Sequence, residues 1–69
     1  MKNYNTMTPA ALVAELERAG WPQGRIAEMC DTTQATISRI GKGVHQNPGY
    51  LVVDKLRELV AALDDYDAE

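Results

Sequence analysis

Within the stretch 34–42 the chain sets out Gln34, Ala35, Thr36, Ser38, Arg39 and Lys42, a set suited to hydrogen bonding rather than to making or breaking bonds. The Gln amide both donates and accepts, the Arg guanidinium donates as a fork, and the Ser and Thr hydroxyls do either. No carboxylate stands among them. Ile37 and Ile40 fall three apart on one helical face. At roughly 100° per residue, Ala35, Ser38, Arg39 and Lys42 then lie on the opposite side, with Gln34 and Thr36 on the flanks. The edges of base pairs in the DNA major groove offer the complement of such a surface. Gln pairs with adenine, Arg with guanine, Ser and Thr with either, and an Ala methyl meets the thymine methyl.

Bond-making chemistry has few candidates. Cys30, Asp31 and His45 are the plausible constellation, and it does not hold together. Cys30 recurs with Ile26 and Met29 at helical spacing, so it reads as a small core residue. His45 stands in a loop with no Cys or His at metal-ligand spacing. The acids near the C-terminus lack the Gly and spaced oxygen ligands of a calcium loop. The run Gly41-Lys42-Gly43 is not a phosphate-binding loop, because the G-x-x-x-x-G-K-[ST] pattern is absent and no strand precedes it. We therefore expect no enzyme, no metal and no cofactor.

The elements that must position the 34–42 surface are all helical. Ile26, Met29 and Cys30 make one apolar face of a short helix beginning near Gln23, with Ala27 beside it. Asp31-Thr32-Thr33 interrupts the pattern with residues that prefer turns, and Thr33 is placed to cap the next helix. Upstream, Thr8-Pro9 opens a helix with a hydroxyl cap and a proline at its first position. Met7 and Leu12 stand at the staple positions. This helix runs to about Ala19, buries Leu12, Val13, Leu16 and Ala19, and ends at Gly20. Trp21-Pro22 links it to the second helix and offers Trp21 as a core plug. Pro22 presets φ but supplies no side-chain cap, and Gly24 weakens the first turn. Residues 41–49 read as a polar, Gly-rich loop. The last helix spans roughly Tyr50 to Leu63 on a stripe of Tyr50, Val53, Leu56, Leu59, Val60 and Leu63, widened by Leu51 and Val52. The stripe is broad for so small a core, so we expect Leu51, Val52, Leu59 and Leu63 to meet a second copy of the chain.

Sixty-nine residues with one cysteine must fold as one domain without a disulfide. The expected division is a flexible arm over 1–7, a helical domain over 8–63 and an acidic tail over 64–69. A core this small supplies about 3–5 kcal/mol, so a partner subunit would help. No run approaches the roughly 18 apolar residues of a membrane span and no signal-like segment opens the chain, which points to the cytoplasm. A net charge of −3 taken alone is adverse to nucleic acid, but four of the ten acids sit in the last six residues, leaving +1 on the rest. From Thr32 to Val53 the only full charges are Arg39 and Lys42. Such a chain suits readout by specific contacts over sequence-independent coating of DNA.

The stretch from Gln23 to Lys42 resembles the helix-turn-helix of the lambda-repressor/Cro-like (XRE) DNA-binding proteins. Gln23 matches the Gln that opens the first helix of that motif, and Ala27 the small residue where its helices cross. Ile26 and Cys30 match core positions. Thr33-Gln34 matches the cap and Gln that open the recognition helix, and Ile37 and Ile40 its two buried positions. Thr36-Ile37-Ser38-Arg39-Ile40 is similar to many phage regulators. The chain departs from the pattern at Asp31, where the family usually has Gly because the backbone favours positive φ. Asp tolerates that region better than most residues. It departs again at Thr32, which replaces a usual hydrophobe.

The resemblance implies an all-α bundle of about four to five helices that binds a pseudo-palindromic operator as a homodimer. It implies a regulator, a repressor by promoter occlusion, in the bacterial cytoplasm, of phage or prophage type or equally of a small operon such as an antitoxin or anti-CRISPR cassette. Gln34, Ala35, Thr36, Ser38 and Arg39 would read bases. Gln23, Arg25, Thr33, Lys42, His45, Gln46 and Asn47 would touch the DNA backbone. The chain has no room for a ligand-sensing domain, so no small-molecule effector is expected. The other reading is a protein-interaction module that keeps the scaffold but acts through the last helix and the acidic tail. The acid-free face of residues 34–42 argues against it, since a protein-only binder has no need of that face.

Overall fold

Hydroxyls, a proline and positive-φ residues cut the described chain into four helices, α1 (Pro9–Arg18), α2 (Gln23–Met29), α3 (Gln34–Gly41) and α4 (Tyr50–Asp67). The computed structural model describes residues 7–44 and 49–67, the side chains of 64–67 excepted. Among the described residues there is no strand, and the architecture is a small all-α bundle.

The starts of α1 and α3 follow from their caps. The Thr8 hydroxyl accepts the Ala11 N–H at 3.1 Å, and Pro9 fills the first helical position, where a missing N–H costs nothing. Met7, just before the cap, packs against the core as the staple requires. The Thr33 hydroxyl accepts the Thr36 N–H at 3.2 Å. Helix α2 has Pro22 before it and no side-chain cap.

The first three helices end in one way. At the end of α1, Trp21 N–H bonds to Leu16 C=O at 3.0 Å and Gly20 N–H to Glu17 C=O at 2.9 Å. At the end of α2, Thr32 bonds to Ala27 at 2.9 Å and Asp31 to Glu28 at 3.2 Å. At the end of α3, Val44 bonds to Arg39 and Gly43 to Ile40, both at 3.0 Å. Each is a Schellman motif, which needs one left-handed residue. Gly20 and Gly43 supply it at φ 100° and 75°, and Asp31 supplies it at 57°. The positive φ expected at Asp31 is therefore present, on the one residue of the three that carries a Cβ.

The core is Leu12, Val13 and Leu16 from α1, Ile26, Ala27 and Cys30 from α2 and its cap, Ile37 and Ile40 from α3, and Leu56 and Val60 from α4. Trp21, Val52, Val53, Leu59 and Leu63 pack partly buried around it. Helix α1 packs against α2, α3 and α4, and α2 packs against α3. Thus α1 is the spine on which the α2–α3 pair and α4 are mounted.

Several expectations need correction. Ala19, expected in the core, is the exposed cap of α1, past the last buried turn. Met29 is 48% exposed because the buried face of α2 runs through Ile26, Ala27 and Cys30, and Met29 lies off its edge. Tyr50 is 75% exposed rather than part of the α4 stripe. Gly41, read as loop, is the last residue of α3. Helix α4 continues through Asp67, a turn beyond the expected end at Leu63. No helix among the described residues is long and apolar enough to cross a membrane.

Candidate nucleic-acid interface

The face opposite Ile37 and Ile40 is assembled as the helical spacing requires. Gln34, Ala35, Arg39 and Lys42 are exposed, while Thr36 and Ser38 are half-buried. Ser38, expected to point fully outward, lies at the border of this face. Helix α3 is held from beneath by its two buried isoleucines and at its C-terminal end by a close approach to α1. A Cβ built on Gly41 would stand 3.3 Å from Val13 Cγ1.

At the N-terminal end the two hydroxyls form a unit. Thr33 Oγ1 and Thr36 Oγ1 lie 3.0 Å apart, either one donating, while Thr33 Oγ1 accepts the Thr36 N–H. Whichever hydroxyl donates to the other, one O–H hydrogen is left to point elsewhere. The pair can therefore offer one donor to an incoming acceptor without breaking the cap.

The cations divide sharply by element. On α1, Arg18 pairs with Glu15 at 3.3 Å. On α4, Lys55 pairs with Glu58 at 3.8 Å and Arg57 with Asp54 at 3.1 Å. Arg39 and Lys42 have no carboxylate partner among the described residues. Arg25 lies over the Trp21 ring, 4.8 Å from its centroid. The ion pairs of α1 and α4 screen those helices locally, whereas the positive charge of α3 is left open to an anion.

The flank next to α2 is more constrained than the sequence suggests. The Gln23 amide, expected on a DNA phosphate, donates from Nε2 to Glu17 Oε2 at 2.9 Å. Gln23 is half-buried and ties the start of α2 to the end of α1. Gln34 leans toward the first turn of α2, where its Oε1 would stand 3.7 Å from a Cβ built on Gly24. His45, Gln46 and Asn47 lie outside the described residues, as do the side chains of the acidic tail and residues 1–6.

On α4, Leu51 is 69% exposed, whereas Val52, Leu59 and Leu63 are half-buried against the chain's own core. Of the four residues expected to face a second copy, Leu51 is thus the most available, with exposed Tyr50 beside it and exposed Val44 before the loop.

Cys30 is buried, and burial pushes its thiol up from the ordinary value against a lesser pull downward from the Lys55 charge. The thiol is protonated at neutral pH and behaves as core. Among the described residues no three His, Cys, Asp or Glu side chains gather as a metal site. The Trp21–Arg25 stack and the Gln23–Glu17 bond were not foreseen from sequence. The four-residue spacing of Trp21 and Arg25 was the only available signal for either.

Comparison of the chain with protein-family models, with curated proteins and with solved structures finds no match.

Proposed function

We propose that this protein is a sequence-specific double-stranded DNA-binding transcriptional regulator of the lambda-repressor/Cro-like helix-turn-helix kind. In this reading α3 lies in the major groove, with Gln34, Ala35 and Arg39 at base edges and the half-buried Thr36 and Ser38 at their margin. Thr33, Lys42 and Arg25 meet phosphates. The observation that carries the reading is the acid-free surface of α3 and its cap, where Arg39 and Lys42 have no carboxylate partner among the described residues while the cations of α1 and α4 are paired.

Two copies related by a two-fold axis would present two such helices to half-sites about one helical turn apart. The exposed apolar residues Tyr50 and Leu51 support a second copy more directly than the half-buried Val52, Leu59 and Leu63. Repression by promoter occlusion in a bacterial cytoplasm, of phage or prophage type, follows as the usual mode of such compact regulators. The same exposed apolar residues favour the second reading, an interaction module acting through α4.

Selection of bound duplexes from a random DNA library with the purified protein separates these readings. Enrichment of an inverted repeat with half-sites about ten base pairs apart is expected. A single short site would leave DNA binding and remove the two-fold arrangement. No enrichment, even at low salt, would favour the interaction module.

A further inference from the structure

Trp21 is fixed from three sides. Its N–H is bonded to the Leu16 carbonyl in the motif that ends α1, its ring is half-buried against the core, and Pro22 follows with φ −69°. Over that anchored ring lies the guanidinium of Arg25, at 4.8 Å from the centroid. Arg25 is exposed, and no carboxylate among the described residues pairs with it. Glu17, an acid at the end of α1, is taken up by the Gln23 amide. A guanidinium held over an aromatic ring loses its rotational freedom, yet its N–H edges remain free to donate. Arg25 follows Gly24, whose Cβ position lies 3.7 Å from Gln34 Oε1, so the turn of α2 that carries Arg25 borders the first residue of the α3 surface.

We propose that Trp21 is a positioning residue that presents Arg25, already ordered, to a phosphodiester of the duplex backbone beside α3. This rests on the DNA-binding reading above. A two-pronged Arg–phosphate contact gains from such ordering because the side chain is immobilised before the ligand arrives. Trp21 thus serves the interface without touching DNA, and the core-plug role covers only its buried side.

The test uses the full chain, a mixed-sequence duplex of about two helical turns, and affinities measured across roughly 50–200 mM salt. Arg25→Gln is expected to weaken binding on all sequences alike and to make the salt slope shallower by about one unit. Arg25→Lys and Trp21→Leu keep the charge, so both are expected to keep the slope while binding roughly two- to fivefold more weakly. Trp21→Phe, which retains a ring, is expected to restore most of that loss. If circular dichroism shows Trp21→Leu unfolded, the NMR order parameter of the Arg25 Nε–H in the free wild type decides the matter: an ordered guanidinium is expected, and one as mobile as the Arg39 guanidinium would overturn the positioning role. Unchanged affinity and slope in Arg25→Gln, with both reduced in Lys42→Gln, would overturn the phosphate contact and leave DNA binding standing. Wild-type affinity in Arg25→Lys, or in a folded Trp21→Leu, would overturn the positioning role. A wild-type protein that enriches no duplex from a random library and also fails to bind this one at the lowest salt would overturn both readings together.

Discussion

The Thr33 hydroxyl accepts the backbone N–H of Thr36 at 3.2 Å and sits 3.0 Å from the Thr36 hydroxyl. One side chain thereby sets where α3 starts and holds a neighbouring hydroxyl at its exposed border. Thr33→Ala should destabilise the fold by about 1 kcal/mol, and Thr33→Ser should retain most of that stability. Urea denaturation measures both. A Thr33→Ala protein as stable as wild type would remove the cap from the account of α3.

Asp31 takes the left-handed position that Gly20 and Gly43 take in the other two Schellman motifs. Its Cβ makes that conformation costly, so Asp31→Gly should stabilise the protein by roughly 0.5–1 kcal/mol. Asp31→Val should destabilise it by more, since a β-branched residue is poorly tolerated there. Thermal or urea unfolding reads the sign directly. A destabilised Asp31→Gly would mean that the carboxylate holds the turn in a way the backbone geometry does not require.

Gly24 and Gly41 are both helical, yet they should respond oppositely to alanine. At Gly24 a Cβ would meet only Gln34 Oε1 at 3.7 Å, so Gly24→Ala should gain about 0.5–1 kcal/mol of helix stability. At Gly41 it would meet Val13 Cγ1 at 3.3 Å, on a side chain buried between helices. Gly41→Ala should therefore cost about 1 kcal/mol as α3 is pushed from α1. Equal responses in urea would show that α3 shifts freely on α1.

Burial raises the Cys30 thiol above its ordinary value of 9.0, against a lesser opposing pull from Lys55. The folded state then holds a proton that the unfolded state releases as pH climbs past that value. The contribution of Cys30 to stability is complete below about pH 9 and declines above it. The stability gap between wild type and Cys30→Ala should accordingly narrow above pH 9. A gap constant across that range, measured by urea denaturation, would show the thiol ionising in the folded protein as it does in the unfolded one.

Much of this fold is legible in the sequence because its helix ends are marked by single residues with local causes. Thr8-Pro9, Gly20 and Thr33 act on backbone groups within a few positions, so their effect needs no knowledge of the rest. Burial is harder to read, because periodicity fixes a direction without saying which neighbour fills it. Met29 and Ala27 flank Ile26 and Cys30 on opposite sides, and it is Ala27 that is buried. On α4, Leu51 lies about 140° around the helix from Leu56, far from the core line. Its exposure agrees with its expected place outside the chain's own core, whereas Val52, Leu59 and Leu63, expected on the same outer edge, are half-buried against that core. The outward face of α3 followed from Ile37 and Ile40 alone. The Gln23–Glu17 bond depends on side-chain rotamers and on how α1 meets α2, and the four-residue spacing of Trp21 and Arg25 permits their stack without fixing it.

The claim that α3 reads bases is tested most directly by measuring Arg39→Ala and Lys42→Ala against the wild type. The ligands are the selected duplex and its full set of single-base-pair variants. Arg39→Ala is predicted to lose about 1–3 kcal/mol on the selected duplex and to become indifferent at one base pair. Lys42→Ala is predicted to weaken every duplex alike and to make the salt slope shallower by about one unit. Uniform weakening by Arg39→Ala would make Arg39 a phosphate contact, and unchanged binding in both variants would contradict the placement of α3 in the groove.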